Sequence, residues 1–142
     1  MSEDRPGSFV DTNILVYAVA DDPIRTAIAR PLVQQLMLTG TLRTSTQVLQ
    51  ELYVVITRKL AHRLTTAQAL GFLDEIAKHP VVTLEYSLIR GAAELSASHA
   101  FSFWDGLIVV AAARSGATRL YSEDMQHGRL VLGVEIVNPF KH

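Results

Sequence analysis

The chain has no cysteine among its 142 residues. That excludes a disulfide framework, a thiol nucleophile and any cysteine-ligated zinc site. It also lacks a charge excess, with 13 Lys+Arg against 14 Asp+Glu, which argues against a protein that coats nucleic acid indiscriminately. The longest apolar run, Leu107 to Ala113, falls far short of the roughly 20 residues a membrane-spanning helix needs. The opening MSEDRPGS is polar and no apolar stretch follows it, so neither a secretory leader nor membrane association is expected, and a cytoplasmic location is. No P-loop, dinucleotide fingerprint or G-x-S-x-G elbow is present. The five histidines show no metal-ligand spacing. Zinc enzymes and serine hydrolases drop out.

What remains is oily, with 49% hydrophobic residues. One domain over residues 1–142 is expected, with 1–7 as a polar extension, and a chain this long buries roughly 68–70% of its unfolded surface. The apolar excess fits a parallel sheet covered on both faces, an apolar surface kept for a partner subunit, or both. Ser8 to Asp11 reads as a strand, followed by a helical stretch from Asn13 to Ala18. Asp22-Pro23 opens a helix that stops at Gly40, with a kink expected at Pro31. Leu42 to Thr44 is a second strand, and Ser45 and Thr46 offer caps for a helix from Gln47 to Leu60. Thr65 with Gln68 forms a capping box for a helix ending near His79. Val81 to Leu84, Thr118 to Ser122 and Val134 to Val137 read as further strands. Helices from Ser87 to Ser98 and from Ser102, paired with Asp105, to Gly116 lie between them. Such alternation predicts a three-layer α/β/α domain with a parallel sheet of four to five strands.

Ligands of open α/β sheets bind outside the carboxyl ends of the strands, where the strand order reverses. Four acids fall near such places: Asp11 after the first strand, Glu51 on the helix after the second, Asp105 at a helix start and Asp124 after the fourth strand. Each also has a plain reading. Asp11 suits an Asx-turn, Asp105 completes a cap, and Asp124 and Glu123 suit a solvated loop. Glu51 stands near Val48, Val54 and Val55 around its helix, so partial burial is expected, with a salt bridge to Arg58 as the plain explanation. Asp105 starts a helix that is apolar nearly all round and therefore belongs to the core. If the acids converge, two carboxylates ~4 Å apart at an effective dielectric of ~20 disfavour joint ionisation by about 4 kcal/mol. One shared proton relieves a pair, but four acids call for a divalent cation. Hard oxygen donors select Mg²⁺ or Mn²⁺, which suit phosphodiester hydrolysis.

The segments FVDTN, QEL, FWDGLIVVAA and LYSEDMQHG together resemble the PIN-domain family, and more narrowly the VapC-type ribonuclease toxins of bacterial toxin–antitoxin pairs. The resemblance runs from Phe9 to Asn138, and the four acids stand in family order at Asp11, Glu51, Asp105 and Asp124. It implies Mg²⁺-dependent cleavage of RNA, a homodimer and inhibition by a small antitoxin protein. It also places supporting hydroxyls at Thr12 and Ser122. Asp11 and Asp105 are the expected metal ligands, with Glu51 and Asp124 acting directly or through water. Without these four acids the remaining residues carry a net positive charge, densest at Arg58, Lys59, His62 and Arg63. Those side chains are candidates for RNA or partner contact, or form a solvated helix end. Two rivals stay open. One is a phosphotransferase with Asp11 as nucleophile, although Asn13 stands where such enzymes place a second acid. The other is a catalytically silent binding module.

Overall fold

The first strand, β1 (Gly7–Val10), is buried along its whole length. Burial on both faces marks a central strand of a parallel sheet, and β1 has a parallel partner on either side. The computed structural model describes residues 6–141. From β1 the chain passes through α1 (Thr12–Val19) and α2 (Arg25–Leu38) into β2 (Leu42–Ser45). It continues through α3 (Thr46–Arg58) and α4 (Thr66–Ile76) into β3 (Val81–Val82). It then returns through α5 (Tyr86–Ser98) and α6 (Phe103–Arg114) to β4 (Ala117–Tyr121) and ends with β5 (Leu130–Val131) and β6 (Val134–Val137).

The strand order is β3-β2-β1-β4-β6-β5. The chain therefore works outward from β1 in one direction, then crosses back to lay β4 on the other side. Right-handed crossovers put α1 to α4 over one face and α5 with α6 over the other. The contacts agree, since α1 packs on α2 and α3, α3 on α4, and α5 on α6. The carboxyl ends of β1 and β4 thus flank the point where the order reverses.

Local signals account for most element ends. Ser45 caps α3 by accepting from the Val48 N–H, and Thr65 with Gln68 makes both bonds of its capping box. Ser102 caps α6 by accepting from the Asp105 N–H at 3.0 Å. Three expectations need correction. The helix expected at Asp22-Pro23 begins at Arg25, because the Asp22 carboxylate accepts from the N–H groups of Ile24 and Arg25 ahead of it. Pro31 lies inside α2, which runs to Leu38, close to the end expected for it. The sheet has six strands and is not wholly parallel, since β5 forms an antiparallel hairpin with β6. Leu132 and Gly133 both take positive φ, 52° and 78°, in the two-residue turn between them. Of the expected polar extension, residues 1–5 lie outside the described residues, and Gly7 already belongs to β1.

Helix α6 is the core helix its composition implies, with Gly106 to Ala112 all buried between α5 and the sheet. Gly106 permits that approach, because a Cβ there would lie 3.1 Å from the Ala92 carbonyl oxygen of α5. Backbone cannot yield as a side chain can. Gly106→Val is expected to destabilise the fold by about 1–3 kcal/mol through overpacking, seen as a lower urea midpoint at unchanged slope.

Candidate active site

Asp11 ends β1 and caps α1. Its backbone N–H donates to the Tyr121 carbonyl at 2.9 Å, extending the β1–β4 ladder by one bond. Its Oδ1 accepts from the Thr12 N–H at 2.7 Å, and its Oδ2 accepts from the Ser122 hydroxyl at 2.8 Å. Asp11, Thr12 and Ser122 are all buried. Burial pushes the Asp11 carboxyl from 3.8 up to about 6, and the nearby charges of Glu51 and Asp124 add to the rise. The bonds from Ser122 and Thr12 work against it. A carboxyl group that ionises only above the ordinary carboxylate range is thus held at the edge of the sheet.

Ser122 follows β4, and its Oγ also accepts from the Asp124 N–H at 3.3 Å. Asn13 braces the same loop from α1. Its Nδ2 donates to Asp124 Oδ2 at 2.9 Å, and its Oδ1 accepts from the Glu123 N–H at 3.3 Å. Glu123 is not the solvated acid expected. It accepts from Arg25 at 2.5 Å and from the Tyr17 hydroxyl at 3.0 Å, and the Arg25 guanidinium lies 5.5 Å from the Tyr17 ring centroid and 5.6 Å from that of Phe140. One of the two adjacent acids is thereby neutralised, while Asp124 lines the cleft.

Asp105 sits in the first turn of α6 and is partly buried. Burial raises its pKa, and the charge of Asp124 adds to this. Glu51 departs from expectation, because it is exposed. The buried face of α3 is Val48, Leu52 and Ile56, while Val54 is exposed, so the apolar arc runs to one side of Glu51. Its partners are Gln47 Nε2 at 3.0 Å and Thr12 Oγ1 at 3.4 Å, and the salt bridge to Arg58 does not form.

All four acids line one cleft of about 360 Å³ at the carboxyl edge of the sheet, together with Thr12, Asn13 and Gln47. Among the described residues no lysine or arginine lines it. Arg58, Lys59 and Arg63 are exposed and stand outside it. The donor set is all oxygen and amide, which suits a hard divalent cation. Among the described residues no three acids stand close enough to enclose an ion. Gln47 Oε1 is buried without a donor, leaving one further acceptor beside Glu51. Asn13, Gln47, Tyr17 and Trp104 went unrecognised in the sequence as parts of this cleft. Asn13 follows the first acid by two residues and Trp104 directly precedes the third, so position relative to the acids was the available signal.

The family model of the PIN domain matches residues 8–131, which include all four acids. The chain belongs to the PIN-domain family. Among curated proteins no sequence matches it significantly. Solved structures share the fold at low identity. The Mycobacterium tuberculosis toxin VapC20, which cleaves the sarcin–ricin loop, is 19% identical with a TM-score of 0.63, over 80% of this chain and 87% of that one. A toxin–antitoxin complex from Klebsiella pneumoniae is 14% identical with a TM-score of 0.70, over 94% and 98%. VapBC2 from Rickettsia felis, bound to a DNA fragment from its promoter, is 20% identical with a TM-score of 0.58, over 82% and 87%. In this PIN domain no helix among the described residues is long and apolar enough to cross a membrane.

Proposed function

We propose that this PIN domain is a Mg²⁺-dependent endoribonuclease and the toxin of a toxin–antitoxin pair. The observation that carries the reading is the cleft itself, where acids from four separate segments of the chain meet with no basic side chain among the described residues that line it. Burial raises the pKa of Asp11 and of Asp105, the neighbouring acid charges add to it, and a divalent cation relieves such a site while attracting a phosphodiester. Asp11 and Asp105 are the residues that would hold Mg²⁺ or Mn²⁺, with Glu51 and Asp124 contributing directly or through water. When bound, the ion supplies positive charge to the scissile phosphate and lowers the pKa of water. Thr12 and Ser122 keep Asp11 in place through its two carboxylate oxygens, and Asn13 keeps Asp124 in place.

Asp11 is poorly suited to act as a phosphate acceptor, since a main-chain N–H and a hydroxyl already engage its two oxygens. An antitoxin partner is supported by the toxin–antitoxin complexes among the structural neighbours. A protein partner or second copy is further supported by an apolar groove on α3 and α4, lined by Leu49, Tyr53, Val54, Leu70 and Leu73. The test is incubation of partner-free protein with total RNA in Mg²⁺, with EDTA in a parallel sample. Discrete fragments that appear only with the metal are expected. Intact RNA from a folded, Mg²⁺-supplied protein would overturn the nuclease reading.

A further inference from the structure

The cleft is only half acidic. Val16, Tyr17, Val55, Trp104 and Ile108 line it beside the carboxylates. A phosphodiester and a cation make no use of apolar walls, whereas a nucleobase does. Trp104 is 66% exposed, although it sits on the helix that forms the centre of the core. It directly precedes Asp105, in the first turn of α6. The Phe103 ring, itself packed on the core, meets the indole edge-on at 5.2 Å and 80°. The indole is thus braced from one side and open on the wall of the acid cleft.

We infer that Trp104 is a stacking platform for an unpaired base of the RNA, one that flanks the phosphodiester held by the acids. This rests on the ribonuclease reading and adds a substrate class to it. Stacking on an indole face requires a base free of its helical neighbours, so the cleft selects single strands and loops over duplex. It is tolerant of base identity, because every base has a π-face.

Trp104 is the only tryptophan, so its emission reports this contact alone. With Ca²⁺ in place of Mg²⁺, a 12-residue oligo(A) is expected to quench it. An abasic phosphodiester of equal length is expected not to, and the oligo(A)·oligo(U) duplex only weakly. In steady-state cleavage of single-stranded RNA, Trp104→Ala is expected to raise KM by roughly ten- to a hundredfold with kcat nearly kept, and Trp104→Phe to restore most of the loss. The side chain is exposed, so circular dichroism of Trp104→Ala should match the parent. Equal quenching by the abasic strand or by the duplex, or an unchanged KM in Trp104→Ala, would overturn the proposal. The two readings fail separately. Base-dependent quenching without any cleavage removes the nuclease and keeps the stacking site, and cleavage without quenching does the reverse.

Discussion

Asp11→Asn is expected to lower RNA cleavage by about a thousandfold or more while leaving the protein folded. The substitution is nearly isosteric. Its Oδ1 can still accept from the Thr12 N–H, and the Ser122 hydroxyl can rotate to accept from the new amide where it now donates. What disappears is the negative charge at the innermost point of the acid cleft. A neutral amide is a weak ligand for a hard divalent cation, so the loss falls on metal binding and on every step that depends on it. Cleavage of a defined RNA at saturating Mg²⁺, alongside a melting curve, separates the two effects. A folded Asp11→Asn protein that cuts RNA at the parental rate would place the chemistry elsewhere.

The second large effect concerns stability without metal. Raising the Asp11 carboxyl from 3.8 to about 6 disfavours its ionised form in the fold by about 3 kcal/mol. Well below pH 4 the group is protonated in both folded and unfolded chains, and this cost is absent. Between about pH 4 and 6 the folded chain holds more of the proton than the unfolded one, so stability falls as pH rises. Above that window both states are ionised and the full cost persists. Asp105 contributes in the same direction, through its own burial and the charge of Asp124. Urea unfolding of the metal-free protein at pH 4.5 and 7.5 measures the sum, and the same pair of curves on Asp11→Asn isolates the share of Asp11. The variant is expected to be the more stable protein at pH 7.5. Mg²⁺ at about a hundred times its dissociation constant should return roughly 2.7 kcal/mol to the parent and much less to the variant. A parent whose stability rises from pH 4.5 to 7.5 relative to the variant would contradict the burial argument.

These two expectations share one physical origin, which is that Asp11 is placed by the main chain. It closes a strand buried on both faces, so its carboxylate has no route to solvent except through the cleft. Asp124 and Glu51, both exposed, have other routes. Loss of charge at those positions therefore disturbs the fold less.

Most elements were legible before the structure because their signals are local. Ser45, Thr65 and Ser102 each satisfy a helix-end N–H within three residues, and such a contact does not depend on the rest of the chain. The buried run in α6 was equally plain, since a helix apolar on every side has nowhere to go but the core. The β5–β6 hairpin was not legible, because two-residue strands carry no periodicity and Leu132 is an uncommon residue at positive φ. Glu51 was misplaced because its neighbours Val54 and Val55 suggested an apolar arc that packing directs toward Val48, Leu52 and Ile56.

By itself, the sequence determined the order of the helices and of every strand but β5, and it placed four acids after strands, within a helix and at a helix start. Those depend on neighbours a few residues away. Only the tertiary structure decided that strand order reverses between β1 and β4, which brings residues more than a hundred positions apart into one cleft. It decided that Glu123 is spent on Arg25 while Asp124 faces the cleft, and that Asp11 sits deep enough to hold its proton near pH 6. Burial and long-range charge are sums over the whole fold, and no stretch of sequence contains them.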